Sequence, residues 1–232
     1  MRWFCGFLAK VGHSPKVFPK PLEGRSVWEE RNPLWVCGSW KEGELFVITE
    51  GYVRLALLGR CLAPRKSIAE IFRDAVRRKN YSELTRLPGS YNVIVQDQTS
   101  TSIFVDLAGL RPVFYSVQDS FIIYSSSSVA IQQLIKAKVD SSWLANNLIC
   151  IGIPDIIQNR SPFENVQAIP PGNCLRIASA QLTCERYWSG PQENRNTLEA
   201  AEHFRQQLIT AVEGRVCSVD GQITSDLSGG LD

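Results

Sequence analysis

LPGSYNVIVQD, residues 87–97, is an apolar run that closes on the polar turn QTST, and it reads as a strand. TSIFVDL, PVFYSV and FIIYSS repeat the pattern through residue 126, with AGLR and QDS as the intervening turns. Upstream, PLWVCGSW, LFVIT and YVRLALLG alternate with KEGE and EG between residues 33 and 59. Short strands joined by tight turns predict antiparallel sheets. Between the two groups lies SIAEIFRDAVRRKN, where Ile68, Ile71, Phe72, Ala75 and Val76 share one helical face. Ser67 and Glu70 have the spacing of a capping box, and Arg77, Arg78 and Lys79 fall where cations oppose the carbonyl end of a helix.

Further helices are expected over 127–137 and 141–149, then two strands at IPPGNCLRI and LTCERYW behind a Pro-Pro-Gly turn. The polar connector QENRNTLEAAEH leads to a helix over 197–213, capped by Asn196 and Glu199, with Ala201, Phe204, Leu208 and Val212 as its stripe and Gly214 as its end. Strands dominate before residue 190 and a helix–strand–loop pattern follows it. The expected organisation is therefore one domain over 1–190 and the start of a second over 191–232.

A chain of 232 residues accommodates one full domain and part of another. With 21% charged residues and a formal net charge of +2, nothing in the charge balance asks for nucleic acid or a membrane surface. No apolar run approaches the ~18–20 residues of a membrane span, and MRWFCGFLAK is too short for a signal peptide, so a cytoplasmic protein is expected. The seven cysteines (Cys5, Cys37, Cys61, Cys150, Cys174, Cys184, Cys217) contain no C-x-x-C pair, and His13 and His203 are the only histidines. Neither disulfides nor zinc are expected; buried strand thiols are.

The last residues, ITSDLSGGLD, form an apolar strand running into a Ser-Gly-Gly loop, a backbone that can close around an anion without a Walker spacing. LSGGLD resembles the opening of the pyrophosphate-binding S-G-G-[LI]-D-S-S loop of the asparagine synthetase family. Three more blocks are similar to that family's, in its order. LPGSYNVIVQD resembles L-D-G-x-F-A-x-x-x-x-D, and VDLAGLRPVFYS resembles R-D-x-x-G-x-x-P-L-Y-Y. FENVQAIPPGNCLRI with RYW resembles F-x-x-V-x-x-L-P-P-G-x-x-L with Y-W. The resemblance implies an α+β fold: a four-layer αββα sandwich of the N-terminal-nucleophile type, the glutamine-amidotransferase-like domain. The first helix and strand of a truncated α/β ATP-pyrophosphatase domain would follow.

Family glutaminases use a cysteine at the very N-terminus, activated by its own α-amine. Here CGF resembles the family's C-G-I, but Cys5 follows Met1, Arg2, Trp3 and Phe4, and a peptide nitrogen is no base. The family's substrate-holding Asn-Gly corresponds to Leu58-Gly59, and Pro88 stands where an Asp binds the glutamine ammonium. Cys5 is thus the degenerate nucleophile position, no catalytic residue is assigned, and the domain is expected to make no ammonia. The amine must then come from the substrate. SDLSGGLD, VDLAGLRPVFY and LLGRCLA look most like the lasso-peptide macrolactam cyclases, with β-lactam synthetases as further relatives of that profile.

That resemblance implies an ATP-dependent, AMP-forming amide ligase. Ser228, Gly229, Gly230 and Leu231 would hold the phosphates of ATP and Asp232 a Mg²⁺, with a precursor peptide as substrate and a maturation protein as partner. The remaining residues of such an enzyme would lie past Asp232, and the chain alone is expected to be inactive. The alternatives are a glutamine-hydrolysing asparagine synthetase, which takes glutamine and aspartate and needs a chain starting at Cys5, and a non-catalytic interaction protein. Asp106 and Arg111 read as braces of a hairpin, and Asp226 as a strand-end or loop-supporting residue.

Overall fold

A computed structural model describes residues 2–10, 24–29, 32–149, 159–178, 181–190, 196–217 and 221–224. Within them lie two six-stranded sheets, antiparallel throughout, and four α-helices. The strands are β1 (Trp3–Ala9), β2 (Arg25–Trp28), β3 (Leu34–Cys37), β4 (Leu45–Glu50), β5 (Val53–Cys61) and β6 (Gly89–Gln96). They continue with β7 (Ser100–Phe104), β8 (Phe114–Val117), β9 (Phe121–Ser125), β10 (Gln167–Ala168), β11 (Asn173–Ala178) and β12 (Gln181–Arg186). The helices are α1 (Arg65–Arg78), α2 (Ser128–Ile135), α3 (Ser141–Ile149) and α4 (Thr197–Val216), with a 3₁₀ turn at Ser82–Arg86. The first sheet runs β10-β8-β9-β1-β3-β2 and the second β12-β11-β7-β6-β5-β4.

Strand alternation sorts the side chains into three apolar layers. Phe4, Leu34, Val36, Ile122 and Tyr124 of the first sheet meet Ala56, Leu58, Ile94, Ile103, Leu175 and Ile177 of the second in a shared core. The opposite face of the second sheet, including Leu55, Leu57 and Val93, packs on Ile68, Phe72 and Ala75 of α1. Burying Phe72 completely contributes about 1.5–3 kcal/mol relative to leaving it exposed. The outer face of the first sheet, with Cys5, Phe7, Trp35 and Ile123, packs on Ile131 of α2. Helix, sheet, sheet, helix is the layer order that the family resemblance implies.

Gly6 permits the close approach at the centre of the first sheet, since a Cβ there would lie 2.2 Å from the Tyr124 ring. Ser125 and Ser126 tie β1 to the end of β9: the Ser125 hydroxyl donates to the Phe4 carbonyl at 2.6 Å, and the Phe4 N–H donates to Ser126 Oγ at 3.1 Å.

Several local expectations change. α1 has no side-chain cap; it starts at Arg65 behind Pro64, so Ser67 and Glu70 fall inside the helix instead of capping it. The fixed φ of Pro64 (−58°) sets the chain on a helical course earlier than the Ser-x-x-Glu spacing indicates. Gly214 is an interior residue of α4, which ends with Cys217 as its cap. A single glycine costs about 1 kcal/mol in a helix and does not by itself stop one. At the other end Asn196 caps α4 as read, accepting from the Glu199 N–H at 2.9 Å. The stripe of α4 is exposed, Phe204 at 69% and Leu208 at 53%, with no residue of the helix buried. All described cysteines are free thiols, and Cys184 and Cys217 are exposed where burial is expected from the sequence.

Candidate functional site

Cys5 occupies the middle of a central strand. Its neighbours across the sheet are Trp35 of β3 and Ser125 of β9. Its side chain is 0% exposed and faces the apolar layer under α2. Burial, with the nearby Cys37 as a lesser cause, pushes the thiol far above its ordinary pKa. A thiol needs a thiolate, a base and access to act as a nucleophile. Here the nitrogen of Cys5 is a peptide nitrogen, and the surroundings suppress the anion.

Leu58-Gly59 and Pro88-Gly89 do come together, on neighbouring strands. β5 and β6 pair with Gly59 opposite Tyr91 and Cys61 opposite Gly89. Both glycines have positive φ, 131° at Gly59 and 140° at Gly89. A Cβ on Gly59 would lie 2.5 Å from the Ser90 carbonyl oxygen, and one on Gly89 would lie 2.3 Å from that of Arg60. Only glycine fits either position. Leu58 itself is 1% exposed and belongs to the core between the sheets.

Beside this glycine pair opens a cavity of about 270 Å³ lined by Arg2, Glu44, Arg60, Leu62, Ser90, Arg111 and Arg215. It lies where the start of β1 meets the end of β5 and the start of β6, with α4 contributing Arg215. Arg2 forms an ion pair with Glu44 and stands 5.9 Å from the centre of the Trp40 ring. Glu44 Oε2 also accepts from the Lys41 N–H at 2.8 Å. Burial alone would raise the Glu44 carboxyl, but the Lys41 N–H and Arg2 outweigh it and hold the pKa below the usual carboxylate range.

Arg111 donates its Nε–H to Ser90 Oγ at 2.9 Å. Its guanidinium carbon would be 3.1 Å from a Cβ on Gly59, so the missing side chain makes room for it. Burial lowers the Arg111 pKa, and the positive charge of Arg2 adds to that. The charges of Asp106 and Glu44 offset part of that lowering; Asp106 also accepts the Leu110 and Arg111 N–H groups at 2.9 Å each and shapes the turn, as the hairpin reading expects.

The sequence points to none of the cavity as a site, because its walls come from residues far apart in the chain. The single signal it offers is Arg60, directly after the degenerate Leu-Gly. A larger cavity of about 590 Å³ lies on the outer face of the second sheet, but its walls mix Lys79, Arg176 and Arg186 with Asp97 and Glu185. Ser228, Gly229, Gly230, Leu231, Asp232 and Asp226 lie outside the described residues. No group of three or more metal-binding side chains occurs among the described residues, and no helix there is long and apolar enough to cross a membrane.

Two solved structures are similar to the chain at 13% identity. Glutamine phosphoribosylpyrophosphate amidotransferase from B. subtilis, complexed with ADP and GMP, matches 81% of this chain and 43% of its own, with a TM-score of 0.46. A structure described as the allosteric regulatory enzyme of purine biosynthesis matches 82% of this chain and 44% of its own, with a TM-score of 0.44. The chain thus spans less than half the length of either. A search of curated proteins found no match. The model of the glutamine amidotransferase domain matches residues 42–188, more than half of the 232 residues and a stretch that includes Gly59, Gly89 and Arg111. The chain belongs to the glutamine amidotransferase domain family.

Proposed function

We propose that this is the amidotransferase-type domain of an ATP-dependent amide-bond-forming ligase, and that the domain no longer hydrolyses glutamine. The observation that carries the second part is Cys5: it is sealed under α2, its nitrogen is a peptide nitrogen, and the cavity beside the glycine pair is lined mainly by arginines. The first part is supported by the resemblance of LSGGLD, and of the blocks before it, to the asparagine synthetase family. In this reading Ser228, Gly229, Gly230 and Leu231 hold the phosphates of ATP, and Asp232 holds a Mg²⁺ that offsets their charge.

The reaction assigned is the joining of a peptide carboxylate to an amine of the same precursor peptide, as in lasso-type macrolactam cyclases. The carboxylate oxygen displaces pyrophosphate from ATP to form an acyl-adenylate. The amine nitrogen then attacks the acyl carbon, AMP leaves and the amine gives up a proton. Tethering both groups in one peptide makes the second step intramolecular. An N-terminal-nucleophile sandwich, a partner protein that assists maturation and a cytoplasmic setting belong to the same reading.

A glutamine-hydrolysing reading is favoured by the family match itself. The two are separated by incubating the longest available form of the protein with ATP and Mg²⁺, and with either a candidate precursor peptide or glutamine plus aspartate, while following pyrophosphate and intact masses. A peptide that loses one water while glutamine is untouched supports the ligase with a silent glutaminase. Glutamate release that depends on a chain starting at Cys5 refutes it.

A further inference from the structure

The cavity beside Gly59 and Gly89 has a charge that glutamine hydrolysis does not call for. Arg2, Arg60, Arg111 and Arg215 reach it from four distant parts of the chain, and Glu44 is the one carboxylate among its lining residues. That carboxylate is already occupied by Arg2 and the Lys41 N–H. Arg60 and Arg215 have partners of their own, but each still brings its charge to the wall. Guanidinium groups gathered in a half-enclosed space repel one another, and an anion relieves the repulsion.

The geometry also fits an oxyanion. Guanidinium presents a planar fork of N–H donors that matches carboxylate and phosphate oxygens. Arg111 is held in place by its bond to Ser90 Oγ and by the open space over Gly59. At about 270 Å³ the cavity is too small for most organic cofactors and suits a compact ion. Because Arg215 belongs to the last turn of α4 while the other three arginines sit around the sheets, a bound anion would join α4 to the sandwich.

We infer that this cavity binds a small, multiply charged oxyanion, of phosphate or polycarboxylate type, which ties α4 to the sheets. The site goes beyond the ligase reading and does not involve Cys5, so either can fail without the other.

The test is calorimetric titration of the 232-residue chain at constant ionic strength with pyrophosphate, citrate and glutamine in separate arms. A saturable site for pyrophosphate or for citrate that weakens in Arg111→Gln is expected, which separates it from phosphate held at Ser228–Asp232, and the tighter anion at that site identifies the source of the charge. Arg111→Gln should weaken that binding by about tenfold or more, the usual effect of losing a charge-assisted hydrogen bond. Arg215→Gln, on an exposed helix, should do the same and guards against misfolding of the first variant. Glu44→Gln should tighten binding, whereas a double substitution of Arg77 and Arg78 to Gln on α1 should leave it unchanged. Hydrogen exchange at the C-terminal end of α4 should slow when the anion is present. Absence of saturable binding in both the pyrophosphate and citrate arms would overturn the inference. So would glutamine binding more tightly than either, or equal weakening by the α1 double variant.

Discussion

By the asparagine-synthetase resemblance, Cys5 and the Leu58-Gly59 and Pro88 positions, the last two beside the Gly59–Gly89 pair, correspond to parts that a glutaminase uses together, and here they face different surroundings. Cys5 points into an apolar layer under α2, with its thiol pushed toward neutrality by burial. The glycine pair keeps an unusual positive-φ geometry on β5 and β6 and borders a cavity crowded with arginine. In the proposed reading, backbone shape and side-chain chemistry are separable: the sandwich holds the form of the site while the groups around it differ in burial and charge.

The strongest way to break that contrast is to open the sealed side. Phe7 is fully buried, edge-on to Trp35 at 5.6 Å and beside Phe121 at 5.7 Å. Phe7→Ala should cost about 3–5 kcal/mol, as large-to-small core changes do. Urea unfolding monitored by tryptophan fluorescence measures this. In the native wild type, alkylation followed by peptide mass spectrometry should label the exposed Cys184 and Cys217 and spare Cys5; in Phe7→Ala, Cys5 should begin to label. Equal labelling of Cys5 and Cys184 in the wild type would remove the contrast altogether.

On the other side, Gly89→Ala should cost about 3 kcal/mol or more, because the added carbon meets backbone and the φ of 140° is nearly closed to alanine. A loss under about 1 kcal/mol would mean that the strands can shift apart and that the pair is not fixed by geometry. Equilibrium unfolding decides it.

A third test concerns the turn that follows β6. Asp97 accepts four hydrogen bonds, from the N–H and hydroxyl groups of Thr99 and Ser100, at 2.6–2.9 Å. Burial would raise its pKa, but these bonds outweigh it and lower it. A lowered folded pKa means the unfolded chain takes up a proton first, at about 3.9. The contribution of Asp97 is thus complete above that value and is lost as pH falls through the folded one. Acid unfolding of Asp97→Asn should show a shallower dependence below pH ~4 than the wild type, and identical slopes would refute the assignment. The smallest effect is expected at Lys79, which ends α1 at φ 53°. Lys79→Gly should stabilise by about 0.5–1 kcal/mol by relieving a left-handed conformation, visible as a small rise in Tm.

The strands were legible because alternation is a local property: Leu55, Leu57 and Leu58, or Val93, Ile94 and Val95, announce a two-sided buried strand within a few residues. Asp106 and Asn196 were legible for a similar reason, since each serves backbone groups at most five positions away. β2 was not, because Arg25–Trp28 is a short, mixed segment whose place beside β3 depends on the partner and not on its own pattern. The arginine cavity was the least legible feature. Its walls are assembled from positions 2, 44, 60, 62, 90, 111 and 215, and apart from Arg60, which follows Leu58-Gly59, nothing local distinguishes its arginines from surface ones. The helix stripe of α4 marks the opposite failure: the periodicity is real, but periodicity does not say what covers it.

The place of β1 between β3 and β9 also governs how the molecule can be made. β3 is available to one edge of β1 early in synthesis, but the other edge waits for β9, and the Ser125–Phe4 bond spans 121 residues. At roughly 5–20 residues per second, a ribosome needs on the order of ten seconds to deliver that partner. For that interval WFCGFLA is a strand with one open side and no Pro or charge to guard it. The β4–β7 part of the second sheet, two local hairpins (β4–β5 and β6–β7) with α1 between them, can form meanwhile and offer a surface on which the first is completed. Chaperone dependence during translation should therefore concentrate on the first strand and not on the hairpins that follow it.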